Sequence, residues 1–200
     1  MWGRSKKTKK NKDEEEEDET SEITVSRNHI YFYSDVDVKP IQQLNQAIND
    51  LNEPGKCYPE IWLHINSYGG SVYDALAAVD TIQASPTPII TIIEGIAASA
   101  ATMISISGDR RYIRPNGVML IHQMRCGFYG KKQDAADEMK NVDQLEDKLM
   151  ALYLDNTNLS KNKFKKIIRR ELEHNAEDCK KMGFVDEIFT GNGVLGKRKR

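Results

Sequence analysis

Residues 89–103 read IITIIEGIAASAATM, and the way this run divides decides the fold. Ile89–Ile93 has no polar alternation except Thr91, the pattern of a strand covered on both faces. From Ala97 to Ser107 the small residues read as a helix. A doubly covered strand feeding a helix is the building unit of a sheet sandwiched between other elements. One serine, Ser99, breaks the alanines. Small neighbours suit a tightly packed helix start, and they also suit a turn holding Ser99 out as a nucleophile. Alone, the stretch leaves both open.

The flanking sequence repeats the alternation. On the N-terminal side, His29–Tyr33 (HIYFY) and Glu60–Asn66 (EIWLHIN) read as strands. Ile41, Leu44, Ile48 and Leu51 follow Pro40 at helical spacing, and Val72, Leu76, Val79 and Ile82 mark a second helix ending before Pro86. On the C-terminal side, Arg111–Ile113 and Val118–Ile121 are short strands around a Pro115-Asn116-Gly117 turn. Asp134–Asn156 is the longest helical pattern, with Met139, Val142, Leu145, Leu149, Leu152 and Tyr153 on one side. Ser160–Arg170 reads as another helix with a Ser160 cap, and Gly183-Phe184-Val185 leads into a last strand. Strands alternating with helices predict an α/β fold with a largely parallel sheet and right-handed crossovers.

The 200 residues carry 29 Lys and Arg against 30 Asp and Glu, a net charge of -1 that selects neither nucleic acid nor an acidic membrane. The charge is blocked at the ends. A lysine-rich run from Arg4 to Lys12 meets the acidic run Asp13–Glu19, and the chain closes Lys197-Arg198-Lys199-Arg200. Such blocks bury no apolar area, so residues 1–22 and 191–200 are expected to be flexible tails around one domain at 23–190. Cys57, Cys126 and Cys179 are three widely spaced cysteines, which fits free thiols in a reducing compartment, and Cys126 reads as an ordinary buried thiol. No apolar run is long enough for a membrane span and the N-terminus has no apolar signal core, so the expectation is a soluble cytoplasmic protein. His29 and His64 have no metal-ligand company and there is no phosphate loop, so no metal or cofactor is expected.

In open α/β sheets, chemistry sits beyond the carboxyl ends of strands. Three such ends carry unusual residues: Gly69-Gly70, the Gly95–Ser99 run, and His122. Paired glycines can point backbone N–H groups at a ligand. A serine at a helix start gains exposure beside unpaired N–H donors. A histidine can accept the serine proton and return it to a leaving group. Together these are the parts of an acyl-transfer site.

INSYGGSV (Ile65–Val72), GIAASA (Gly95–Ala100) and LIHQ (Leu120–Gln123), in this order, resemble the Asn-Ser-Pro-Gly-Gly-Ser, Ala-Ala-Ser and Met-Ile-His-Gln words of the proteolytic subunit of the Clp protease. GFVD (Gly183–Asp186) resembles that family's closing Gly-Leu-Val-Asp, and the likeness runs from about His29 to Thr190. The resemblance implies a ClpP/crotonase-type core of repeated β-β-α units with a long handle helix at 134–156. It implies a serine endopeptidase acting on unfolded proteins and peptides, with Ser99 as nucleophile, His122 as base, and the N–H groups of Gly70 and Ala100 as oxyanion hole. Gly69, Met124, Arg125 and Gly127 would touch substrate. It further implies a homo-oligomer of stacked heptameric rings (a tetradecamer), with an AAA+ unfoldase or a ClpP paralogue as partner.

The sequence departs from that pattern at several places, among them a segment between Ser99 and His122 that is slightly shorter than usual and a charged N-terminus unlike the usual pore-lining loops. Tyr68 stands where the family has proline. The family's aspartate, twelve residues before the Gly-Leu-Val-Asp word, is Glu171 here, with Glu173 and Asp178 nearby as substitutes. The strand that carries docking aromatics for an unfoldase reads Trp62 and His64, and Ala84 offers little surface. These departures leave a catalytically weak ring subunit, structural partner to active paralogues, as the alternative. The acyl-CoA branch of the fold would need neither Ser99 nor His122, and the Ser–Lys peptidases would replace the histidine.

Overall fold

The computed structural model describes residues 23–125, 127 and 129–191. The expected tails, apart from Gly191, and Cys126 lie outside the described residues. Along the chain the elements are β1 (Ile23–Ser26), β2 (His29–Phe32), α1 (Val38–Leu51), β3 (Ile61–Ser67), α2 (Val72–Gln83), β4 (Ile89–Ala98) and α3 (Ala100–Ile106). Then come β5 (Arg110–Ile113), β6 (Val118–Leu120), α4 (Lys132–Asn156), α5 (Lys161–Ile167), β7 (Glu173–Asn175), α6 (Ala176–Met182) and β8 (Glu187–Ile188). This is the α/β class expected. One sheet runs β1-β2-β3-β4-β5-β8, parallel except at β1, and β6 and β7 branch from it beside the end of β4. No helix among the described residues is long and apolar enough to cross a membrane.

The predicted boundary inside residues 89–103 moves. Ala97 and Ala98 are strand, and the helix begins at Ala100. The reason is a second partner: after Ile93 the strand leaves β5, and Ile96, Ala97 and Ala98 pair in parallel with Val118, Met119 and Leu120 of β6. Alanine's helical preference, a few tenths of a kcal/mol per residue, is smaller than the ladder bonds it would forgo. Three elements went unread: β1, a four-residue strand beside the charged N-terminal run, β7, which is only three residues, and α6, a single short helix capped by Asn175. His174 lies in β7.

The sheet's two faces are covered differently. Ile30, Phe32, Ile61, Leu63 and Ile65 are fully buried on the face against which α1 and α2 pack, with α3 against α2. By alternation the other face carries His29, Tyr31, Trp62, His64 and Tyr112. There the cover is a layer of rings: Trp62 stacks on Tyr112 and Tyr31 on His64, with ring centroids 5.8 and 4.4 Å apart.

Asp37 caps α1, Ser71 caps α2 and Ser160 caps α5, each with a side-chain oxygen accepting a backbone N–H. The apolar stripe of α4 is buried only toward its C-terminus. Tyr153 is 4% exposed and Met139 is 53% exposed, so the helix runs off the core. Its end is pinned by Arg111, which donates to the Asn156 and Gly183 carbonyls and pairs with Asp186.

Candidate active site

Three backbone crossings build the site. Val36 donates its N–H to the Gly69 carbonyl (2.9 Å) and accepts from the Ser71 N–H (2.7 Å), a single bridge extending the β2 side of β3. Neighbouring N–H groups on an extended backbone face opposite edges, so that of Gly70 is turned toward the β4 side, where Ser99 lies. Gly69 and Gly70 sit at φ 93° and 151°. A Cβ on Gly69 would fall 2.8 Å from Ser99 Cβ and 2.9 Å from Ala100 N, and one on Gly70 would fall 2.3 Å from the Val36 carbonyl oxygen. The glycine pair is thus a requirement of close approach.

Ser99 is the turn from β4 into α3, at φ 53° and ψ -126°. Such a backbone costs a non-glycine residue on the order of 1–3 kcal/mol and survives only where its surroundings fix it. Here the Ser99 N–H donates to the Leu120 carbonyl (2.8 Å), and the Ser99 carbonyl accepts both the N–H (3.0 Å) and the hydroxyl (2.5 Å) of Thr102. Thr102 Oγ1 also meets the Tyr153 hydroxyl, which comes from α4. The Ser99 hydroxyl makes no capping bond to the helix it begins. The N–H of Ala100, the first helical residue, has no acceptor within α3.

His122 follows β6. Its Nδ1–H donates to the Gln123 carbonyl at 2.6 Å, the tautomer that leaves Nε2 as acceptor. No hydrogen bond joins Ser99 to His122, or His122 to Glu171, among the described residues. Glu171 instead takes a bond from Arg125 at 2.6 Å, both side chains being more than half exposed. That hydrogen bond, then the charge of Arg125, holds the Glu171 carboxyl below its ordinary value, with a smaller contribution from His122. The backbone nevertheless brings the segments together: Leu120 pairs with Glu173 across β6 and β7, and the Gln123 N–H donates to the Ile168 carbonyl at 2.8 Å. Glu173 is exposed in β7 and Asp178 is in the first turn of α6.

Ser99, Ala100, Gly70, His122, Met124 and Arg125 line one cavity of about 800 Å³, walled on the far side by α4. Gly127 and Glu171 lie outside its lining, and Gly69 sits behind Ser99. The exposed rings of Tyr68 and Tyr73 stand at its edge, 75% and 68% exposed. Sequence reading did not single out Thr102 or, beyond its apolar stripe, Tyr153. A threonine three residues after a serine, able to bond back to a carbonyl one turn earlier, was the available signal for the first. A buried tyrosine, whose hydroxyl needs a partner, was the signal for the second.

A second polar cluster lies on the ring-covered face. His29 and His64, expected to stand apart, meet there at 2.8 Å between Nδ1 and Nε2. His64 Nδ1 meets Glu94 (2.9 Å), which also accepts from the Tyr33 hydroxyl and from Arg114 (3.0 Å). Burial pushes the Glu94 carboxyl up, but these three hydrogen bonds outweigh it and hold it down at about 2. No group of three candidate metal ligands occurs among the described residues.

The chain was compared with known proteins. The family model described as Clp protease matches residues 11–192. A protein of Deinococcus radiodurans named ATP-dependent Clp protease proteolytic subunit is 34% identical over 132 residues, 65% of this chain and 65% of that protein. One of the same name from Streptococcus mutans is 37% identical over 137 residues, 66% of this chain and 70% of that protein.

Proposed function

The chain belongs to the Clp protease family, and from that premise we propose that it is a serine endopeptidase subunit with Ser99 as its nucleophile. The observation that carries the reading is Ser99 itself. It is a non-glycine residue fixed at positive φ, at the start of a helix it does not cap, on the wall of a cavity that His122 shares.

In this reading Ser99 Oγ attacks the substrate carbonyl and His122 Nε2 takes its proton. The oxyanion that forms is held by the N–H groups of Gly70 and Ala100. His122 then gives the proton to the leaving amine, and water repeats the cycle on the acyl-serine. One oxyanion donor is typically worth about 3–4 kcal/mol, so the glycine pair and the small residues around Ser99 serve the reaction by leaving those donors unobstructed. Glu171 orients the imidazolium once it turns from Arg125, and until then the Gln123 carbonyl holds the required tautomer. Met124 and Arg125, on the cavity wall, flank the path of an extended peptide, while Gly69 and Gly127 lie beyond that lining.

The relatives' name refers to ATP dependence. This sequence has no phosphate loop, so ATP use would belong to an AAA+ unfoldase. The exposed first turns of α4 suit packing between subunits, in stacked heptameric rings enclosing the sites. Cys57 and Cys179, free thiols, fit a cytoplasmic setting.

The test is Ser99→Ala against the unaltered chain, with a fluorophosphonate probe, a fluorogenic peptide and mass-spectrometric localisation of the label. Labelling confined to Ser99 and lost in the variant supports the reading; equal labelling of both, or of neither, removes it. An enclosed chamber requires elution far above the 22.8 kDa chain mass, and a stable monomer would argue against it. The second reading is a weakly active ring subunit, favoured by the Arg125–Glu171 bond. It requires an intact oligomer that labels only when mixed with an active paralogue.

A further inference from the structure

We infer that Tyr153 and Thr102 are positioning residues for Ser99, acting through a chain of two hydroxyls that ends on the Ser99 carbonyl. The inference rests on the reading of Ser99 as nucleophile and adds a role for α4 in setting its geometry.

The direction of the chain follows from counting protons. A threonine hydroxyl has one hydrogen. That of Thr102 is directed at the Ser99 carbonyl, 2.5 Å away, so the Tyr153 hydroxyl must donate to Thr102 Oγ1. The run is Tyr153 O–H to Thr102 Oγ1–H to Ser99 O. Both hydroxyl-bearing residues are buried: Thr102 is 0% and Tyr153 4% exposed. Burial pushes the Tyr153 hydroxyl up to about 12, so it remains a donor across the working pH range. Bonds in such a chain polarise and strengthen one another in a low-dielectric interior.

The consequence falls on a backbone that needs holding. At φ 53° the Ser99 residue keeps its conformation only through its neighbours, and its carbonyl takes both donors of Thr102. A lone threonine hydroxyl rotates among available acceptors. One that already accepts from a fixed tyrosine has its proton aimed. Tyr153 is fixed in turn: its ring packs on Phe164 at 5.0 Å, and α4 is anchored three residues later where Arg111 donates to the Asn156 carbonyl. The Ser99 carbonyl and the Ala100 N–H belong to one rigid peptide plane, so rotating the carbonyl would turn that N–H away from Oγ. The hydroxyl chain therefore fixes the orientation of the oxyanion donor relative to the nucleophile.

The experiment measures the second-order rate of fluorophosphonate labelling at Ser99, kcat and KM on a fluorogenic peptide, and the thermal midpoint. Tyr153→Phe, which keeps the ring against Phe164, and Thr102→Val, which keeps the shape, are each expected to lower labelling rate and kcat about tenfold. KM should stay within about twofold, since substrate binding is untouched. Thr102→Ser, which keeps the hydroxyl, should restore the rate. The double variant should be little worse than either single one, because both break the same chain. Labelling at the unaltered rate in Tyr153→Phe, whatever its thermal midpoint, overturns the inference, as does failure of Thr102→Ser to restore it. If the unaltered chain takes no label at Ser99, the nucleophile reading falls and this inference with it.

Discussion

Ser99 and Glu171, the first and last members of the proposed triad, are held in opposite ways. Around Ser99 both backbone groups are fixed by a neighbour, Leu120 on its N–H and Thr102 on its carbonyl, and Gly69 leaves no room for a side chain against its Cβ. Around Glu171 the backbone is loop, the side chain is exposed, and its bond is to Arg125, itself 74% exposed. The nucleophile end is a product of the core, whereas the acid end is a surface arrangement worth little energy. Solvent screens exposed ion pairs, which are too weak to lock a geometry. A site built this way would keep the proposed nucleophile in place and leave the proposed orienting carboxylate free to move.

Disturbing the rigid end should have the largest effect. Gly70→Ala places a Cβ 2.3 Å from the Val36 carbonyl oxygen at a φ of 151°. We expect a loss of about a hundredfold or more in kcat and about 1–3 kcal/mol in stability, read by probe labelling and thermal unfolding. Activity near that of the unaltered chain would mean that the glycine pair does not serve the oxyanion. Next is Glu171→Gln, which keeps the shape and removes the charge. Because the Gln123 carbonyl already holds the His122 tautomer, kcat should fall only about ten- to a hundredfold. A fall as deep as that of Ser99→Ala would put the acid end on the same rigid footing as the nucleophile end.

Arg125→Gln should act in the other direction. It frees Glu171, so activity at low salt is expected to rise by less than about fivefold. The unaltered chain should gain with added salt as the pair is screened, and the variant should not. Since Arg125 holds the Glu171 carboxyl below its ordinary value, removing it should move the acid limb of the pH–rate profile upward. An unchanged limb would separate Glu171 from the reaction. The smallest effect on catalysis is expected from Glu94→Gln on the far face, where labelling should not change. Stability should drop by about 1 kcal/mol at pH 7. The Glu94 carboxyl is depressed from 4.5 to about 2, so its contribution is complete above pH 4.5 and lost as pH falls through about 2. Thermal midpoints of the two chains should therefore converge toward pH 2.

Most of the fold was legible because its signals are local. The spacing of Ile41, Leu44, Ile48 and Leu51, the unbroken Ile89–Ile93 run and the Ser160 cap each describe their own neighbourhood. The misread pieces are those whose state depends on a distant partner. Ala97 and Ala98 favour helix until β6 pairs with them, and Glu173–Asn175 is a strand only because β6 is beside it. In the candidate site, Ser99, His122 and the glycine pair stood at strand ends in the sequence. The Arg125 bond to Glu171 and the meeting of His29 with His64 did not, since each joins residues more than thirty positions apart.

The sequence alone determined the alternating α/β order and which small and polar residues end the strands, because hydrophobic period, caps and glycine pairs act within a few residues. Only the tertiary structure decided what each polar group touches. Hydrogen bonds are satisfied by whichever donor or acceptor packing brings within about 3 Å, and packing is a property of the whole chain. That is how Thr102 comes to link a tyrosine on α4 to the carbonyl of Ser99, fifty-four residues earlier in the chain.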